Sequence, residues 1–148
     1  MEKLNEKSSL TINIKQNIFK IIDARVVRKN VFVKEFGGKD EFDIIDTAAF
    51  HIVVYKDCKP VATARAFCYD DDMYAIERLC VLQEYRGSGI ASILLSELEQ
   101  FISTIYSGTL KLIADLESYE YFEKYGYIRS GYPYVTERGV MVCLEKTI

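Results

Sequence analysis

A chain of 148 residues with 49% apolar side chains and a mean hydropathy of −0.01 suits one domain with a buried core, and excludes a disordered composition. A formal charge of −3 and a pI of about 5.3 leave no electrostatic footprint for nucleic acid, and no apolar run reaches the ~20 residues of a membrane helix. The opening MEKLNEKSSL is polar and does not read as a signal peptide, while four cysteines without a C-x-x-C pair, beside a single histidine, predict free thiols in the cytoplasm and no metal site.

In chain order, Leu10 to Ile14 alternates and predicts a first strand. From Asn17 to Phe36, Ile18, Ile21, Ile22, Ala24, Val27, Val31 and Phe32 predict one or two amphipathic helices, ended by Gly37-Gly38. Asp40 to Thr47 is acidic and reads as a loop or short helix. His51 to Tyr55 is a strand, Lys56 to Pro60 a turn, and Val61 to Tyr69 a strand whose Ala62, Ala64 and Ala66 suit close packing on one face. Asp70-Asp71-Asp72 is expected to be a solvated hairpin bend, leading into the apolar strand Ile76 to Leu82. From Ile90 the residues Leu94, Leu98, Phe101, Ile102 and Ile105 lie on one helical face. Gly108 breaks that helix, and Thr109 to Ala114 is again a strand. Ser118 to Tyr125 reads as a short helix closed by Gly126, followed by two strands, from Tyr127 and over Val140 to Leu144. Strands before, between and after helices predict one domain over residues 1–148, with a mixed, twisted α/β (α+β) sheet flanked by helices.

Between the central strand and helix lies Arg86-Gly87-Ser88-Gly89-Ile90-Ala91. A strand that turns through two glycines into a helix leaves several N–H groups without intrahelical partners, pointing out of the helix start. Such a turn favours a phosphate or diphosphate, although an ordinary tight turn has the same spacing. No Gly-Lys-Ser/Thr follows, which excludes a Walker loop, and the third glycine of a dinucleotide fingerprint is missing.

The same six residues resemble the R/Q-x-x-G-x-G/A acyl-CoA signature of the GCN5-related N-acetyltransferase (GNAT) superfamily. Leu79-Cys80-Val81 is similar to that family's cofactor-binding strand, and Tyr121-Phe122-Glu123-Lys124-Tyr125-Gly126-Tyr127 to its F-Y-E-K-x-G-F helix end. The resemblance implies a cofactor cleft between two splayed central strands, one ending at Val81 and one near Ala114. Val31 to Glu35, Asp40 to Asp43, Asp46, His51, Ala64-Arg65, Gly131 and Glu137-x-Gly139-Val140 resemble the small bacterial ElaA/YjcF-type branch. Phe36 and Asp115 stand where that branch commonly has glutamine, and Met141-Val142 replaces a usual Pro-His, all bordering the acceptor side.

The resemblance implies an acetyl-CoA-dependent N-acetyltransferase in which an amine, on a small molecule or a protein, attacks the thioester directly. Arg86, Gly87, Ser88, Gly89, Ile90, Ala91 and Ser92 would hold the diphosphate, with Arg86 either adding charge or lying exposed at the turn. Backbone groups of Leu79, Cys80 and Val81 would pair with the pantetheine as an added strand does. Glu77 is the candidate base, or else a structural partner of Arg65 or Arg78, and His51 a lesser alternative. The family's acidic tyrosine falls on Phe122, which would line the cofactor site but cannot donate a proton. Tyr125, one helical turn away on nearly the same face, is the preferred acid, then Tyr121. Cys80 reads as a buried strand residue and not a nucleophile. A non-catalytic acyl-CoA-binding or regulatory module is the alternative that Phe122 keeps open. Family members are often dimers, which leaves a homodimer open.

Overall fold

The computed structural model describes residues 9–38, 42–70, 73–137 and 139–148. Their strands form a seven-stranded sheet in the order β1-β2-β3-β4-β5-β7-β6. β1 (Leu10–Gln16), β2 (Phe50–Lys56), β3 (Lys59–Asp70) and β4 (Met73–Val81) run as an antiparallel meander. β5 (Thr109–Asp115) lies parallel to β4, and β7 (Gly139–Thr147) and β6 (Ile128–Thr136) follow antiparallel. Parallel neighbours require a crossover connection. Helix α3 (Ile90–Ser103) supplies it, and its Leu94, Leu95, Leu98 and Ile102 are buried in the core with Ala62, Ala64 and Ala66 of β3. The alanines leave room for the helix to approach the sheet closely. Each leucine buried there contributes on the order of 2 kcal/mol.

On the other side of the N-terminal strands, α1 (Asp23–Arg28) runs without a break into a π-helix, Lys29–Glu35. The Phe36 N–H donates to Val31 O at 3.1 Å, and Gly37 leaves the helix with φ +72°. The region expected as one or two helices thus has a 3-10 turn (Ile18–Lys20), then α1 and its wider continuation. α2 (Ile45–Ala48) follows, and α4 (Tyr119–Glu123) precedes Gly126, which takes φ +92°. Asp40 of the acidic stretch and Asp71-Asp72 of the expected bend lie outside the described residues, and Asp70 still belongs to β3.

One irregularity positions everything that follows. β4 and β5 pair only from Met73↔Thr109 to Ile76↔Leu112. Past that point the β3–β4 register jumps from Arg65↔Glu77 to Thr63↔Cys80, so Arg78 and Leu79 together stand opposite Ala64. Arg78 absorbs the extra residue at φ +56°, a left-handed conformation costing a side-chain-bearing residue roughly 1–2 kcal/mol. A bulge of this kind bends its strand. Glu77–Val81 therefore diverges from Ile113–Asp115, and the sheet opens in its middle.

Candidate active site

The opening is a cleft of about 440 Å³. Leu79, Cys80 and Val81 form one wall and Ile113, Ala114 and Asp115 the other, while Phe32 and Phe36 of the π-helix region, Tyr121 and Phe122 also line it. Its residues reach Arg86 and Ala91 of the glycine loop. There a 3-10 turn (Gln83–Tyr85) leads into Gly87 at φ +79° and Gly89 at φ +84°, the N-cap of α3. The first intrahelical bond runs from Ile93 N–H to Gly89 O at 3.2 Å, so the amides from Gly89 to Ser92 have no acceptor within the helix. A Cβ at Gly87 or Gly89 would meet no atom within 4 Å. Glycine is required there by backbone conformation, and the space before the amides is open. These features fit a diphosphate: free donors, a helix dipole and no side chain in front.

Arg86 is fully engaged. Its Nη1 and Nη2 donate to the two carboxylate oxygens of Glu35 at 2.6 Å each, and its Nε donates to Val81 O at 2.9 Å. The arginine joins the glycine loop to the end of β4 and to the end of the π-helix. Arg86 is an exposed arginine at the turn, as one of the two sequence readings has it, and the pairing adds a partner that neither reading named. Glu35 was missed because its partner lies 51 residues away.

Glu77 lies on the cleft wall, and its Oε1 accepts from Arg65 Nε at 2.9 Å and also from Arg65 Nη2. Arg65 is 1% exposed and is the hub of a buried charge cluster. Its Nη1 donates to Asp43 at 2.7 Å and Asp46 at 2.8 Å, and Asp46 also receives Arg28 at 2.7 and 3.1 Å. Burial alone would raise the Asp46 carboxyl, but the Arg28 and Arg65 hydrogen bonds hold it at about 2. Asp43 is likewise held low by Arg65 against the opposing effect of burial. His51 is wholly buried, and its Nε2 lies 2.9 Å from Asp46 O. Burial lowers its pKa, so it is a neutral structural group that does not line the cleft, and it is not the lesser base candidate that the sequence offered. Asp46 lies in the acidic stretch that forms the short helix α2, and it is 0% exposed.

At the other end Phe122 is buried and Tyr121 faces the cleft. The Tyr125 hydroxyl donates to Tyr121 Oη over a long 3.4 Å. Burial, then Tyr125, pushes Tyr121 up to about 12, whereas hydrogen bonds with Ser92 and Tyr121 hold Tyr125 below its ordinary value. The Ser92 contact ties Tyr125 to the first turn of α3, while Tyr121, and not Tyr125, lines the cleft. Cys80 is buried in β4 and is in no disulfide.

A second cavity, of about 510 Å³, adjoins the cleft and shares Phe32, Phe36, Asp115, Glu117 and Met141 with it. It continues past Leu116 to Glu137, Gly139 and Val140. Among the described residues no helix is long and apolar enough to cross a membrane, and no group of three His, Cys, Asp or Glu is placed to hold a metal ion.

The family model for the acetyltransferase (GNAT) domain matches residues 21–147. The uncharacterized N-acetyltransferase YjcF of Bacillus subtilis is 33% identical over 116 residues, which cover 77% of this chain and 82% of YjcF. Escherichia coli ElaA superposes with a TM-score of 0.82 at 20% identity, over 93% of this chain and 99% of its own. Arabidopsis thaliana Naa50, in complex with the bisubstrate analogue CoA-Ac-MVNAL, superposes with a TM-score of 0.71 at 18% identity, over 95% of this chain and 99% of its own.

Proposed function

The chain belongs to the acetyltransferase (GNAT) family, as a member of the ElaA/YjcF type and hence an acyltransferase, and from that premise we propose that it is an acetyl-CoA-dependent N-acetyltransferase acting by direct attack of an amine on the thioester. The observation that carries this reading is the divergence of β4 from β5 beyond Ile76↔Leu112, with unpartnered amides of the α3 start at one end of the gap. The Naa50 complex supports a CoA thioester as donor.

The diphosphate rests on the amides of Gly87 through Ser92, which need no reorganisation to receive it. Beyond Ile76 the edge of β4 facing β5 is unpaired, so Leu79, Cys80 and Val81 offer backbone groups to the pantetheine amides as to an added strand. An N–H of the same edge stabilises the charge developing on the thioester oxygen, an effect worth about 3 kcal/mol where it has been removed elsewhere. The amine attacks as the neutral base, and holding it beside the carbonyl supplies much of the acceleration.

Two proton transfers complete the reaction. Glu77 takes the proton of the attacking amine, directly or through a water, with Arg65 fixing the carboxylate on the cleft wall. Tyr125, hydrogen-bonded towards Tyr121 at the cleft, returns a proton to the thiolate. Phe122 fills the place of a hydroxyl donor with an apolar ring and lines the acyl end. The testing experiment follows free CoA release from acetyl-CoA with a panel of amines, comparing wild type with Glu77→Gln. Turnover that falls on loss of the carboxylate supports the reading; CoA binding without turnover of any amine would leave only a binding module.

A further inference from the structure

The second cavity has walls of two kinds. Phe32, Phe36, Val140 and Met141 make an apolar surface, on which the Phe36 side chain is 67% exposed although the Arg86 guanidinium stands 5.9 Å from its ring centroid. Asp115, Glu117 and Glu137 add exposed carboxylates, and no lysine or arginine stands among the described lining residues. Elsewhere around the site acids are matched by cations: Glu35 by Arg86, and Asp43, Asp46 and Glu77 by Arg28 and Arg65. Glu117 and Glu137 have no such partner among the described residues. The cavity opens on the cleft through the residues the two share, and its volume is that of a small-molecule site.

We propose that this cavity is the acceptor site, and that the acceptor is a small organic dication, a primary amine with a second protonated amino group on an apolar spacer, such as an alkyl diamine or polyamine. The inference rests on the function proposed above and specifies its acceptor. The spacer lies against Phe32, Phe36 and Met141. The distal ammonium sits among the carboxylates. The near amine reaches the thioester in its neutral form. Its nitrogen bonds to the carbonyl carbon, and the C–S bond breaks with its electron pair on sulfur. One N–H proton leaves to Glu77 or water, one proton arrives on sulfur, and the products are the mono-N-acyl diamine and free CoA. An acceptor whose far end is a carboxylate meets like charge in the same place.

The test uses the full chain, acetyl-CoA and matched acceptors: cadaverine, n-pentylamine, aminovalerate and a short peptide with a free N-terminus. Cadaverine is expected to give the highest kcat/KM, with n-pentylamine roughly three- to tenfold lower, the size of a partly exposed charge contact, and aminovalerate lower still. Glu137 is exposed in the β6–β7 turn, so Glu137→Gln folds normally; it raises KM for cadaverine severalfold and leaves that for n-pentylamine and the calorimetric Kd for CoA unmoved. Glu117→Gln also raises KM for cadaverine severalfold. Equal use of cadaverine and n-pentylamine, a preference for the peptide, indifference to both substitutions, or no turnover of cadaverine by a chain that binds CoA would each overturn this inference alone. A chain that does not bind CoA overturns the proposed function itself.

Discussion

Arg86 grips Glu35 through both terminal nitrogens at 2.6 Å, and so fastens the glycine loop to the last turn of the π-helix. The residue after Glu35 is Phe36, which lines both cavities. The loop that would receive the donor and the wall that would receive the acceptor are therefore one mechanical unit.

Glu35→Gln tests that linkage. The pair is partly exposed, so its removal costs only about 0.5–1 kcal/mol of stability. Kinetically the substitution should raise KM for acetyl-CoA and for the acceptor together, each severalfold. A change confined to thermal stability would mean that the pair is merely structural.

Gly89→Ala separates strain from function. No atom lies within 4 Å of the added methyl, so only the left-handed backbone opposes it, at roughly 1–2 kcal/mol. The methyl would nevertheless intrude where the diphosphate approaches. Calorimetry should show CoA affinity falling by roughly 2 kcal/mol or more, beyond what loop strain alone explains.

The Arg28–Asp46–Arg65 cluster predicts the acid limb of stability. The Asp46 carboxylate is held at about 2, below its ordinary 3.8. A group depressed on folding gives its full stabilisation above the unfolded value and loses it as pH falls through the folded one. About 2 kcal/mol should therefore be lost between roughly pH 4 and pH 2, visible in urea titrations at stepped pH. In Asp46→Asn this part of the slope disappears, and the protein is destabilised at neutral pH by about 3–5 kcal/mol, because Arg28 and Arg65 lose their shared buried partner.

The tyrosines divide the acid role. Tyr125→Phe should lower kcat about tenfold or more with KM for acetyl-CoA nearly unchanged, as expected when a proton donor acts only in the transition state. Tyr121→Phe should cost less, since burial pushes that hydroxyl up to about 12. Equal losses in both would make the hydrogen-bonded pair the donor, and none in either would assign the proton to water.

Periodicity and punctuation made most of this fold readable from the chain. The alternation of Leu10–Ile14, the alanine face of β3 and the Leu94–Leu98–Ile102 stripe are local signals, and each marks an element that forms. The strand–helix turn at Gly87 and Gly89 was legible from its two glycines, but their spacing left an ordinary tight turn open, and the cofactor reading came with the family resemblance. The bulge at Arg78 was not, since nothing in Glu77-Arg78-Leu79 signals a left-handed residue; the opening of the sheet came only from the family resemblance. Nor was the charge cluster. Asp43 and Asp46 read as part of an acidic loop or short helix until tertiary structure brings Arg28 and Arg65 to them from two other elements, and sequence spacing carries no trace of that pairing. The π-helix escaped notice because its apolar spacing is indistinguishable from that of an α-helix over seven residues.

The most direct measurement is a crystal structure of this chain with CoA. The diphosphate should lie within hydrogen-bond reach of the amides between Gly87 and Ser92, with the sulfur between the diverged ends of β4 and β5, on the side where Glu77 and Tyr121 meet the cleft. CoA bound outside that gap, or a gap closed by continued β4–β5 pairing past Ile76, would contradict the account.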